Sequence, residues 1–134
     1  MKYASGRIFD SYTTSYKISN SQYLFISKLH QENYIVSFAE FFRFCLMIFL
    51  HDKRNDESYV PQWFSDYKNF ENKKAKNVSF KMLTKIRDKM DLFVLKMNTK
   101  FPNKKFTRSD LLRDSIDFAV SYFVTLDEIG VLMG

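Results

Sequence analysis

The chain reads as a mainly helical fold carrying one short antiparallel β-ribbon, in which a strand, helix, helix order is written twice. Three observations predict this. Only 3 Gly and 2 Pro occur in 134 residues, too few for a loop-rich all-β fold, whose turns depend on them. From Lys76 to Met82 polar and apolar residues alternate, and the pattern then changes to the three-and-four spacing of a helix. A weaker copy of the same order runs from about Ser15 to Leu50. At 46% hydrophobic and 18% aromatic, the chain has enough apolar side chain to bury a core.

The first unit spans residues 12–51. Tyr16 and Ile18 alternate with Ser15, Lys17 and Ser19, which predicts a strand with one polar face. A helix then starts after Ser19 or Asn20, turns Leu24, Ile26 and Leu29 toward the core, and stops near Asn33. Ser37-Phe38-Ala39-Glu40 has the spacing of a capping box and opens a second helix. Its apolar face is Phe38, Phe41, Phe42, Cys45, Leu46 and Phe49. Residues 52–75 form a linker, where Trp63, Phe64, Tyr67 and Phe70 after Pro61 predict a short aromatic helix packed on the core.

The second unit spans residues 76–124 and shows the order more clearly. Val78, Phe80 and Met82 face one side of a strand, and Asn77, Ser79 and Lys81 the other. Leu83, Ile86, Met90, Phe93, Val94, Met97 and Phe101 form one helical stripe, which Pro102-Asn103 ends. Thr107 is the next N-cap, with Asp110 placed to reach back to it. Leu112, Ile116, Ala119 and Phe123 line the final helix, and residues 125–134 read as a tail. The two capping signals lie 70 residues apart and the strand positions Tyr16 and Val78 lie 62 apart. On that alignment the second unit carries about eight extra residues, in its first helix and the turn from Pro102 to Phe106.

Charge is distributed unevenly. From Lys68 to Arg113 there are 14 Lys or Arg against four acids, a net of +10 within a total of +6. Residues 1–67 balance at seven of each sign, and residues 114–134 carry four acids and no base. A concentrated positive field is the footprint of a protein that neutralises phosphates; a solvated, Lys-rich surface is the plainer alternative.

Other function classes find little support. Cys45 is the only cysteine, so no internal disulfide or cysteine metal cluster can form within one chain, and a reducing, cytoplasmic setting is expected. Met1 to Arg7 lack the apolar run of a secretory signal. The most apolar window, Ile35 to Leu50, is interrupted by Glu40 and Arg43 and is shorter than the roughly 20 residues of a membrane span. His30 and His51 have no partners at metal-site or triad spacing, and Asp114 and Asp117 read as solvated carboxylates on a helix face. No enzyme, metal, cofactor or small-molecule ligand is therefore expected.

Residues 76 to 123 resemble the ribbon-helix-helix family of DNA-binding proteins, of the Arc/MetJ type, in which two strands pair across a two-fold axis and enter the major groove. The stretch Thr107-Arg108-Ser109-Asp110-Leu111-Leu112-Arg113 is similar to the Ser-Arg-Ser-Glu-Leu-Ile-Arg run common in that family. The turn before it departs from the family pattern: it lacks Gly, is longer, and contains Pro102 and the Lys104-Lys105 pair. The first unit matches by pattern alone. A tandem ribbon-helix-helix chain rich in Lys, Phe, Tyr and Asn is also similar to small regulators of archaeal viruses, which would place it inside the host cell.

The resemblance implies a role for each position. The outward strand residues Asn77, Ser79 and Lys81, with Ser15, Lys17 and Ser19 in the first unit, would read base edges. Thr107, Arg108 and Ser109, with Ser37 in the first unit, would hold backbone phosphates at helix starts. Lys85, Lys104 and Lys105 would add attraction that does not depend on sequence. A lone strand cannot form such a ribbon, so the chain must be either a homodimer or an internal pseudo-dimer, and the spare length of the linker favours pairing inside one chain. The expected function is a sequence-specific transcriptional regulator that binds double-stranded DNA, more naturally a repressor. The rival is a protein-interaction or structural module, of viral-assembly or antitoxin-like type, whose basic surface meets an acidic partner.

Overall fold

Two alternating segments become strands and pair with each other inside the chain. The computed structural model describes residues 11–64 and 75–128, with side chains described over 13–64 and 75–121. The elements follow as β1 (Ser11–Ile18), α1 (Asn20–Gln31), α2 (Phe38–Lys53), β2 (Lys76–Leu83), α3 (Thr84–Lys100) and α4 (Arg108–Glu128). The fold is mainly helical around a two-stranded antiparallel sheet.

The strand register defines an approximate two-fold relation. Thr13 lies opposite Lys81, Ser15 opposite Ser79 and Lys17 opposite Asn77, so the ribbon is centred on the serine pair. Rotation about that centre carries residues 12–18 of β1 onto the β2 residues 64 positions later, Tyr16 onto Phe80 among them. The first helices also start 64 residues apart, at Asn20 and Thr84, and the second helices start 70 apart, at Phe38 and Arg108. The 62-residue offset read from sequence is thus corrected to 64, and the insertion to six residues. Five of these lie in α3, which has 17 residues where α1 has 12. The strand offset was misread because β1 begins at Ser11, where Thr13 and Thr14 extend the alternation toward the amino terminus.

The inner face of the ribbon supplies the top of the core. Tyr16, Ile18, Val78, Phe80 and Met82 are buried. Tyr16 and Phe80 stack diagonally across the strands at 5.0 Å, and Phe42 of α2 meets Phe80 at 5.1 Å. Below them α2 and α4 make the most extensive helix-to-helix contact. Phe41, Phe42, Cys45, Leu46 and Phe49 of α2 are buried, and so are Leu111, Leu112, Ser115, Ile116 and Ala119, found 70 positions later in α4. Burial pushes the Cys45 thiol well above its ordinary pKa, so it is packed as a small apolar group.

Several expectations are corrected. Leu24 is 59% exposed, and the stripe of α1 that packs inward is Gln22, Tyr23, Ile26 and Leu29. Leu83 is 47% exposed because it ends β2 on the outward register instead of starting the helical stripe. Residues 61–64 are not helical, although Phe64 is buried against Phe101 and Phe106; Tyr67 and Phe70 lie outside the described residues. The last helix continues to Glu128, past the predicted tail boundary, and the Phe123 side chain lies outside the described set. No helix among the described residues is long and apolar enough to cross a membrane.

Candidate nucleic-acid interface

Because side chains alternate across a strand, burying one face of the ribbon turns the other outward. Thr13, Ser15 and Lys17 of β1 and Asn77, Ser79 and Lys81 of β2 are all exposed. Ser15 and Ser79 meet through a 2.8 Å hydrogen bond between their Oγ atoms at the centre of this face. Lys17 and Lys81 occupy two-fold-equivalent positions, as do Thr13 and Asn77. Each lysine therefore stands opposite a neutral polar residue on the partner strand, and the cationic ends are held apart on either side of the serine centre.

Ser19 is not part of this face. It is 4% exposed and caps α1: its Oγ accepts from the Gln22 N–H at 3.1 Å while its own N–H donates to Gln22 Oε1 at 3.1 Å. Thr13 replaces Ser19 in the outward set, and the position equivalent to Lys81, which the 62-residue offset gives to Ser19, belongs to Lys17. The signal for Thr13 was present in the run Ser11 to Ser15, whose Thr pair favours a strand.

Arginines at equivalent positions of α2 and α4 tie the strands down. Arg113 Nη1 donates to the Lys17 carbonyl at 2.7 Å, and Arg43 Nη1 donates to the Lys81 carbonyl at 2.9 Å. Each therefore holds the backbone of an outward-facing lysine. Sequence reading gave neither a role, although both lie six residues after an N-cap, at Ser37 and Thr107. The surroundings of the two differ. Arg113 is buried, pairs with the fully buried Asp110 and lies 5.0 Å from the Trp63 ring centre.

The start of α4 sits at the Lys17 end of the ribbon, where the Lys17 N–H donates to Ser109 Oγ at 3.0 Å. That contact leaves the Ser109 hydroxyl hydrogen able to donate. The predicted side-chain roles of its neighbours are corrected. The Thr107 hydroxyl donates to Asp110 Oδ2 at 2.9 Å and so completes the cap. Arg108 grips Asp91 through Nε and Nη2 at 2.7 and 2.9 Å, an interaction that raises the pKa of its guanidinium. Thr107, Arg108 and Ser109 are half-buried at this helix start, whose dipole favours an anion. Ser37 likewise caps α2, accepting the Glu40 N–H at 3.1 Å.

Three further lysines carry predicted roles. Lys85 is exposed in the first turn of α3, directly after the ribbon ends. Lys104 and Lys105 are exposed in the turn before α4, with Lys104 Nζ 5.5 Å from the Phe64 ring centre.

A polar network fastens the connector to α4 and so holds the helix start in place. Asp114 is 3% exposed, which corrects its reading as a solvated carboxylate. It accepts a hydrogen bond from the Tyr59 hydroxyl and a 3.2 Å bond from the Gln62 N–H. Asp117 accepts from Trp63 Nε1 at 2.9 Å and from Gln22 Nε2 at 2.8 Å. Burial pushes the Asp114 carboxyl up to about 7; the Tyr59 and Gln62 hydrogen bonds work in the opposite direction, and the nearby Asp117 and Asp110 charges add to the rise. Burial beside that carboxylate also pushes the Tyr59 phenol far above its ordinary range.

Comparison with family models, curated proteins and solved structures found no match to this chain. The chemistry of the face is accordingly read from its own residues. His30 packs edge-on to Phe38 with ring centres 5.4 Å apart, and His51 is exposed on α2. Among the described residues no three His, Cys, Asp or Glu side chains converge as metal ligands do.

Proposed function

We propose that the chain is a sequence-specific, double-stranded-DNA-binding transcriptional regulator, acting as a repressor by occupying a promoter, and built as a tandem ribbon-helix-helix internal pseudo-dimer. The observation that carries this reading is the outer face of the ribbon. Six small or cationic polar residues are exposed in three cross-strand pairs, while every described residue on the inner face between Tyr16 and Ile18, and between Val78 and Met82, is buried. A two-stranded ribbon fits the roughly 12 Å width of the major groove. Lys17 and Lys81 suit guanine O6 and N7, Asn77 suits adenine, and the paired serines are small enough for the ribbon to sit deep. The α4 start at Ser109, with Lys85, Lys104 and Lys105, supports phosphate contact on the flanks.

A gel-shift titration against random competitor duplex at two salt concentrations tests the reading. Binding that survives excess competitor and weakens steeply with salt is expected. Lys81→Ala and Asn77→Ala should each lower specific affinity by about 1–3 kcal/mol. Unchanged specific affinity in both variants would remove the ribbon from the interface.

The rival reading, a protein-interaction module, draws on one observation. Phe44 and Met47 of α2 are exposed, where the equivalent α4 positions, Asp114 and Asp117, are covered by the connector. Loss of all DNA binding in competitor, with retained binding of an acidic protein surface, would favour it.

A further inference from the structure

The ribbon face is two-fold in its frame but not in its chemistry. The relation that carries Ser15 onto Ser79 and Lys17 onto Lys81 carries Thr13 onto Asn77, a different side chain. The flanks differ as well. At the start of α4, Ser109 accepts the Lys17 N–H, whereas the equivalent residue of α2 is Ala39, which has no hydroxyl to offer. In the first turn of α4 the acid is Asp110, buried and paired with Arg113; in α2 it is the exposed Glu40, whose charge opposes a phosphate.

A ribbon made from two copies of one strand presents identical side chains to both halves of a site. Here the strands are different segments of one chain, so each half can be read separately. Resting on the DNA-binding reading, we infer that a single chain recognises an asymmetric duplex site in one orientation. Its two half-sites share a guanine, faced by Lys17 in one and Lys81 in the other, and differ at the step faced by Thr13 and Asn77. Asn77 takes adenine through N6 and N7, and the Thr13 methyl packs on the thymine methyl. Substitution at either position changes one half-site and leaves the other as it was.

Selection of bound duplexes from a library with a randomised central segment, using the full chain, tests this. The expected result is one enriched motif with guanines at a symmetric pair of positions and unequal bases at another symmetric pair. Placing the same base at both of the unequal positions should weaken binding about tenfold or more. Thr13→Asn should convert the motif to a perfect inverted repeat, and Asn77→Thr to a different perfect inverted repeat. Both positions are exposed, and thermal melting of each variant reports whether it remains folded. A perfect inverted repeat selected by the unaltered chain, or motifs unchanged in both folded variants, would overturn the asymmetry and leave DNA recognition standing. Failure to enrich any sequence would overturn both.

Discussion

Ser15 and Ser79 join Oγ to Oγ at 2.8 Å at the point about which the two strands exchange places. Directly beneath, the equivalent rings of Tyr16 and Phe80 stack at 5.0 Å. The outer centre is polar and small, the inner centre aromatic and large. The same two strands thus present a shallow hydrophilic ridge and anchor it on the core.

Equivalent arginines should differ in what they contribute to stability. Arg113→Ala leaves the buried Asp110 carboxylate without its ion-pair partner and should cost about 3 kcal/mol or more. Arg43→Ala removes a half-exposed hydrogen bond and should cost about 1 kcal/mol. Urea denaturation of the two variants measures both. Equal losses would mean that the Asp110 pair adds nothing to the strand contact.

Ser19 distinguishes a cap from a base reader. Ser19→Ala should lower folding stability by about 1 kcal/mol through loss of the α1 capping box. Duplex affinity, measured well below the melting temperature, should stay within twofold of the unaltered chain. A selective loss of affinity without loss of stability would return Ser19 to the interface.

Stability should depend on pH through Asp114. Its folded pKa is raised from 3.8 to about 7, so the neutral carboxyl is the form that folding favours. Its contribution is fully present below pH 4 and is lost as pH rises through about 7. A shift of that size corresponds to up to about 4 kcal/mol. Thermal melting of Asp114→Asn should lack the fall between pH 4 and 7 that the unaltered chain shows. Parallel pH profiles for the two proteins would place the titrating group elsewhere.

Lys104 and Lys105 should act through charge and not through sequence. Replacing both with Ala should weaken binding to all duplexes alike and reduce the slope of log affinity against log salt by roughly two. Titrations at three salt concentrations on the preferred duplex and on random duplex measure this. A loss confined to the preferred duplex would mean that the pair reads bases.

Much of the fold was legible because period and capping are local properties. Alternation marked Val78, Phe80 and Met82 as one face of a strand, and all three are buried. The Thr107 to Asp110 spacing marked the start of α4, where the cap hydrogen bonds form. The candidate face was legible in its β2 half, since Asn77, Ser79 and Lys81 are all exposed. Its β1 half was shifted by one alternate position because Ser19 continues the polar alternation of Ser15 and Lys17. A serine before a helix can serve as a strand residue or as a cap, and only the geometry of Gln22 decides between them.

By itself the sequence determined the helical class, the repeated order of elements, the inward faces of β2 and α2 and the concentration of positive charge, all of which follow from local spacing and composition. Tertiary structure decided the pairing of β1 with β2 inside one chain, the 64-residue equivalence, the burial of Asp114 and the engagement of Arg108 by Asp91. These are contacts between residues up to some 70 positions apart, or between partners that no local period marks. Their energies depend on which groups the core excludes from water together, and that is settled only when the helices close over the ribbon.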